Sequence, residues 1–505
     1  MTAGRVGMGL MFSPRGGSAQ VARYLSRALG SAGWDVRLAA GSLGAAGEPT
    51  HAATFFRGLH VEPADYTPAR ERFEHGADHL AGPMPFHPSF EDREGAPDPV
   101  FAALGPEQTE AQIEAWAAVL ERAGFADVDL IHLHHLTPMH DAVARRFPEH
   151  PVVTHLHGTD LKMLDRIGRL EAIARARGTT LAALAGRTQR PGSGTPISAD
   201  QAELLERTRL EQYAHGSAWA VRLSAAAARS RRIICISPHD ASEAVRLLGV
   251  PERLIEVIPN GVDTDLFAET PLGASERLDL LRRWLVDDPQ GWDESGQPGS
   301  IRYLPQQLEA FSDPAGNPIP VLVFVGRFLA FKRVPLLVRA YARARRRLAQ
   351  PAPLVVWGGS PGEWEGEHPH AVAQRESVDG VFFTGWRGHD ELPLGLSAAH
   401  GFVAPSVNEP FGQVFLEAMS CGLPVVATRT GGPPSFVNTV PAAPNGWLVE
   451  PDDPGALADA LVALVNSPDE RAARGRNARA QVRSRYAWDA VVNRFTAIYR
   501  SACSR

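Results

Sequence analysis

Two carboxylates eight residues apart, Glu409 and Glu417, stand in the stretch APSVNEPFGQVFLEAMSCGLPVVATRTGG, residues 404–432. Glu409 precedes Pro410, which pushes its backbone out of the helical region and onto a loop. A helical pattern begins at about Pro410–Gly412 and carries Glu417 in its second turn. A helix start offers free N–H groups and a dipole that favours an anion, worth up to ~2 kcal/mol. The pair could grip a hydroxyl-rich ligand at two depths; spacing alone equally allows one surface-loop and one helix glutamate. Upstream, VLVFVGRFLAFKR at 321–333 is an apolar run ending in Gly326, then Arg327 and Lys332. A guanidinium fork and a compact ammonium can together neutralise a diphosphate, although solvated surface charge is the common fate of such residues. Lys332 and Lys162 are the only lysines among 51 basic residues. In so arginine-rich a chain, a retained lysine is either a chemical requirement or chance.

His157 ends another apolar run, Val152–Leu156, and is followed by Gly158, so the backbone can turn sharply there. Asp160 and Lys162 follow within five residues. His157 is either a hydrogen-bonded strand-end histidine or one that faces a ligand. Gly16 and Gly17 follow the first apolar run and precede a helical pattern, so they suit either close approach to a phosphate or a plain tight turn. His132, His134, His135, His155 and His157 crowd two segments. His132 and His134 alternate with Ile131 and Leu133 on one strand. No carboxylate or cysteine stands at ligand spacing beside them, so no metal is expected.

The elements that must carry these residues alternate. Strand-like runs at Val6–Phe12, Val36–Ala40, Leu130–Leu133, Val152–Leu156, Ile233–Ile236 and Ile255–Ile258 are interleaved with helical patterns near Ala19–Ala32, Glu107–Ala123 and His140–Phe147. Runs at Val321–Val325, Leu354–Trp357, Val381–Phe383, Gly401–Ala404, Val425–Ala427 and Trp447–Val449 repeat the rhythm, with helices at Val334–Ala349, Phe415–Cys421 and Ala456–Asn466. Such alternation predicts parallel βα units, and ligands bind at the carboxyl edge of such sheets. Ser237-Pro-His-Asp240 has the form of a helix cap with proline in the first turn. We divide the chain into 1–262, with insertions at about 41–105 and 161–230, then 263–484, with an insertion at about 270–318, and a final helix at 485–505. A Gly/Pro/Ser/Thr break falls at Thr188–Pro196.

At 505 residues the chain suits two domains. A net charge of −6 argues against a nucleic-acid partner. Three cysteines, Cys235, Cys421 and Cys503, build no disulfide framework, which suits a reducing cytoplasm. No signal-peptide pattern and no membrane span is expected. The basic run Arg343, Arg345, Arg346 and Arg347 is either a solvated face or a peripheral membrane contact.

With these motifs in order, the chain resembles glycosyltransferase family 4. The matches are Gly326-Arg327 with Lys332, the Glu409/Glu417 pair with its PFG, Ile258-Pro-Asn-Gly-Val-Asp263 and Thr154-His-Leu-His-Gly-Thr-Asp160. The likeness is nearly continuous in the second half and patchy in the first. It implies an α/β GT-B fold: two Rossmann-like domains facing across a cleft, with the last helix returning to the first domain. It also implies a retaining, metal-independent hexosyl transfer from a nucleotide-diphosphate sugar, UDP-sugar before GDP-mannose, to a small-molecule, lipid or glycan acceptor, with no cofactor. By resemblance Arg327 and Lys332 bind the diphosphate, and Glu417 the ribose. Glu409, with the amides of Phe411, Gly412 and Gln413, holds the sugar, and His157 faces the reaction centre. Gly16, Gly17 and Gly326 approach the donor, and Thr384-Gly-Trp386-Arg387 forms the base platform, largely through backbone. Asp160, Lys162 and His134 are candidates near the acceptor. The chain departs from the pattern at Gln413, where a small aliphatic residue is common, and at Ser435, where glutamate is frequent; both leave the donor's identity open. A monomer or homodimer fits. The rival readings are a sugar-nucleotide epimerase of the same fold, a phosphorylase, for which no lysine stands in a matching place, and a non-catalytic nucleotide-sugar binding protein.

Overall fold

The strands of this chain read as near-continuous apolar runs, the pattern of parallel sheets covered on both faces. A computed structural model of the protein describes residues 3–14, 16–93, 96–186 and 197–504. They fall into two compact units, Met1–Gly261 with Val491–Arg505, and Val262–Ala490. Both are Rossmann-like α/β units.

The first unit holds β1 Gly4–Leu10, β2 Trp34–Ser42, β3 His60–Asp65, β4 Leu130–His134, β5 Val152–His155, β6 Arg232–Cys235 and β7 Ile255–Val257. Among the described residues they form one parallel sheet in the order β3-β2-β1-β4-β5-β6-β7. β4 lies beside β1, and β5 pairs with β4 in a register that sets His134 opposite His155. Ser237 Oγ accepts the Asp240 amide at 3.1 Å and caps Pro238–Leu248. Residues 41–105 were expected to leave the sheet, yet 60–65 form its edge strand. Pro63 and the two acids of HVEPAD hide the strand pattern, and an edge strand tolerates them because one side needs no ladder. The same stretch buries Tyr66, Phe86, Phe90 and Phe101 in the core. Residues 161–186 and 197–230 are mainly helical, with Thr159–Ala176 and Gly216–Arg229 the longest pieces. The break at Thr188–Pro196 lies outside the described residues.

The second unit holds β8 Leu322–Val325, β9 Leu354–Trp357, β10 Val381–Gly385, β11 Gly401–Ala404, β12 Val425–Thr428 and β13 Gly446–Val449. They are parallel in the order β10-β9-β8-β11-β12-β13. The helix Val334–Ala344 stops five residues short of the expected end, and Arg345–Arg347 form a separate 3-10 turn. There Arg345 pairs with Asp379 at 3.4 Å and Arg347 with Asp459 at 2.6 Å. The stretch 270–318 is packed into this unit: Trp284 sits edge-on to Trp357 at 4.7 Å, and Trp292 stacks on Phe328 at 5.1 Å.

The last helix, Trp488–Cys503, contributes its residues from Val491 onward to the first unit. There Tyr499 meets Trp34 at 5.2 Å, and Phe495 and Tyr499 are fully buried. No helix among the described residues is long and apolar enough to cross a membrane.

Candidate functional site

In the second unit, two loops leave the carboxyl ends of adjacent strands. β8 runs into Gly326, whose φ of 157° is near-extended, then Arg327 and the 3-10 turn Ala330–Lys332. β11 runs into Ser406–Pro410. The Val407 amide donates to Phe331 O at 2.7 Å, tying the loops together. That tie sets Lys332 Nζ against Glu409 Oε2 in an ion pair whose side chains are only 15% and 9% exposed. A Cβ built on Gly326 would lie 3.2 Å from the Phe324 ring and 4.0 Å from Lys332 Cε. Arg327 is half-buried on the same loop.

The Glu409 loop is held from behind by Gly431 and Gly432. A Cβ on Gly431 would sit 2.4 Å from Glu409 O, and one on Gly432 2.6 Å from Phe411 Cα. The Gly432 amide donates to Glu409 O at 2.7 Å. Asn408 takes a φ of 54° and Gly412 one of 90° to complete the turn into the helix Gln413–Ser420. The helix begins at Gln413, slightly later than expected, so the amides of Phe411, Gly412 and Gln413 occupy its start. Phe411 is buried against Phe436 at 5.6 Å. Glu417 lies inside this helix, 7% exposed, and burial pushes its carboxyl up to about 8.

At the end of β10, Trp386 is 58% exposed. Arg387 turns inward: its guanidinium bonds Asp288 Oδ2 at 2.6 Å, Trp284 O at 2.6 Å and Thr384 O at 3.2 Å. Its side chain therefore anchors the 270–318 stretch, and only its backbone is left for a ligand. The sequence reading did not foresee this anchor, nor the glycine buttress behind Glu409; the Gly431-Gly432 dipeptide was the available signal for the latter.

In the first unit, Gly16, with a φ of 90°, and Gly17 open the helix Gly17–Ser31, and a Cβ on either would meet nothing within 4 Å. His157 is half-buried past β5 and takes His134 Nδ1 at 2.9 Å on its Nε2. Burial, reinforced by the neighbouring imidazoles, holds it well below the usual histidine range. Asp160 and His134 were expected to face a ligand, but both are 0% exposed. Asp160 accepts from the Leu136 amide at 2.9 Å, the His157 amide at 3.4 Å and His135 Nδ1 at 3.3 Å. Burial alone would raise its carboxyl; His135 and the Leu136 amide outweigh that and keep it below the ordinary range. It staples the loops after β4 and β5 and so positions His157. Lys162 is half-buried on the helix Thr159–Ala176.

His132, His134 and His155 each offer a ring nitrogen within 4.8 Å of the others. The expectation of no metal rested on the lack of a carboxylate or cysteine at ligand spacing; the β4–β5 register instead sets three histidines together.

Two family models match the chain: one described as Glycosyltransferase Family 4 over residues 15–266, the other as Glycosyl transferases group 1 over residues 308–481. The chain is 30% identical over 281 residues to a D-inositol 3-phosphate glycosyltransferase of Salinispora arenicola, which covers 54% of this chain and 56% of that protein. The chain thus spans about half the length of the curated relatives it matches. Among solved structures, a sucrose-phosphate synthase from Thermosynechococcus elongatus superposes with a TM-score of 0.61 at 20% identity, covering 98% of this chain and 99% of that one. Anabaena HepE, solved with UDP and glucose, gives 0.58 at 19% with the same coverage. These likenesses show the GT-B class of fold.

Proposed function

The chain belongs to glycosyltransferase family 4, and from that premise we propose that it moves a hexose from a nucleotide-diphosphate sugar to an acceptor with retention of configuration. The observation that carries the reading is the Lys332–Glu409 pair, set by two tied strand-end loops beside the start of the Gln413–Ser420 helix. A donor diphosphate takes Lys332 from Glu409, and Arg327 joins it. Glu409, released, accepts hydroxyls of the sugar, while Glu417 holds the ribose. As the anomeric C–O bond breaks, charge builds on the departing phosphate. Preorganised cations and helix amides stabilise that charge more in the transition state than in the ground state. The leaving phosphate takes the acceptor proton, so no separate strong base is required.

UDP-sugar is the favoured donor, supported by HepE's complex with UDP and glucose, and GDP-mannose is second. The curated relatives' name makes a phosphorylated inositol the first acceptor to try. The cysteines are unpaired among the described residues, which supports a reducing compartment such as the cytoplasm.

The test is a panel of nucleotide sugars with inositol phosphate, read by product formation and by nucleotide release. Lys332→Ala should lower kcat/KM by two or more orders of magnitude, the scale of removing one preorganised electrostatic group (about 10²–10³). Unchanged turnover in that variant removes the assignment. Donor interconversion without acceptor would establish the epimerase reading instead.

A further inference from the structure

The first unit buries a second chemistry-bearing cluster that the transfer reaction does not use. His132 and His134 project from one face of β4, and His155 from β5, opposite His134 in register. All three are 0% exposed. The His132 and His134 rings stack 4.7 Å apart, and His155 lies 5.4 and 5.2 Å from them. His132 Nε2, His134 Nε2 and both ring nitrogens of His155 have no hydrogen-bond partner among the described residues. A buried polar group left unpaired costs about 1–3 kcal/mol, so four such nitrogens in one spot are a poor bargain for a purely structural core.

The remaining nitrogens are engaged in a consistent way. His132 Nδ1 lies 2.5 Å from Tyr499 Oη, and His134 Nδ1 lies 2.9 Å from His157 Nε2. If both Nδ1–H groups donate outward, both Nε2 lone pairs point inward. This is the arrangement seen when a second shell fixes a ligating histidine's tautomer.

We propose that His132, His134 and His155 are the ligands of one divalent transition ion, zinc(II) by their chemistry, that joins β4 to β5 beneath the final helix. Three imidazoles are an attested zinc set, with one coordination position left open, and imidazole suits zinc, copper, iron and nickel rather than calcium or magnesium. At a Zn–N length of about 2.0–2.1 Å, tetrahedral ligand nitrogens stand about 3.4 Å apart, so the present spacing of up to 4.8 Å must contract when the ion binds. Phe495 supplies an apolar shell, 6.0 Å from His132 and 5.5 Å from His155. The inference does not depend on which sugar, if any, the chain transfers.

The experiment is to express the full chain with zinc in the medium, remove any tag and loose metal by gel filtration, and measure metal by elemental analysis. About one zinc per chain is expected. Chelator-stripped protein titrated with cobalt(II) should develop the strong visible bands of a four-coordinate ion, and zinc should raise Tm. His155→Gln should abolish stoichiometric uptake, and the mild Tyr499→Phe change should weaken it about 10–100-fold, the effect of losing an outer-shell partner. Failure of the wild-type chain to take up zinc or cobalt overturns the site, and this arm stands even if His155→Gln does not fold. Weak six-coordinate cobalt bands, or uptake unchanged in both variants, overturn it equally.

Discussion

Glu417 carries the clearest consequence of burial at a single position. Its carboxyl is raised from 4.5 to about 8 by desolvation. The folded state therefore holds a proton that the unfolded chain releases near pH 4.5, and it binds more protons than the unfolded state between those values. Stability from this group must then fall as pH rises from about 4.5 to about 8, and level off above. Glu417→Gln removes the titration. Urea unfolding of both proteins should find them similar at pH 5 and the variant favoured at pH 8, by up to roughly 4 kcal/mol; a constant difference across that range would contradict the burial argument. Lys332 and Glu409 form an ion pair that is mostly buried. Lys332→Ala removes the cation beside a carboxylate whose side chain is 9% exposed, at a cost of about 3 kcal/mol. Adding Glu409→Gln should recover most of that Tm loss while transfer stays absent. That result separates lost chemistry from lost fold. The loop position of Glu409 was legible, since the proline after it keeps its backbone out of a helix. The inward turn of Arg387 was not, because its partners Asp288 and Trp284 lie about 100 residues away.

Elements were legible where one pattern governed them. β9 and β11 run over the residues their apolar stretches predict, because strands buried on both faces need little but apolar side chains. β3 escaped because an edge position relaxes that demand. The helix Pro468–Arg485 escaped because only Gly475, Ala478 and Val482 of its eighteen residues are buried, too few to print an amphipathic stripe. Approaches between backbones were the least legible, and they decide where Glu409 sits. Gly431 has a φ of 71°, and a side chain there would meet Glu409 O at 2.4 Å. Gly431→Ala should cost about 1–3 kcal/mol from strain and push the Glu409 loop off its register with Lys332. Isothermal titration with UDP and with UDP-glucose should find the sugar's contribution to affinity reduced more than the nucleotide's. An equal loss for both ligands would mean that the loop does not hold the sugar.

At the scale of the molecule, the last helix links the end of the chain to the centre of its first sheet. The family motifs revealed two Rossmann-like units, but sequence spacing could not reveal that Phe495 and Tyr499 of the last helix close over the histidines of β4 and β5; only the sheet register and the return of the chain bring them together. Tyr499 is the side chain on which that enclosure turns. It is fully buried, reaches His132 at 2.5 Å and packs edge-on to Trp34 at 5.2 Å. Tyr499→Ala leaves a cavity and removes the hydrogen-bond partner of His132 Nδ1, a loss of about 3–5 kcal/mol by analogy with other large aromatic truncations. Because Tyr499 belongs to the first unit, the damage should stay there. Hydrogen exchange followed by mass spectrometry should show faster exchange in β1, β4 and β5, while β8 and β11 keep their protection. Uniform deprotection across both sheets would instead mean that the two units unfold as one, and that the helix stabilises the whole chain rather than the sheet it covers.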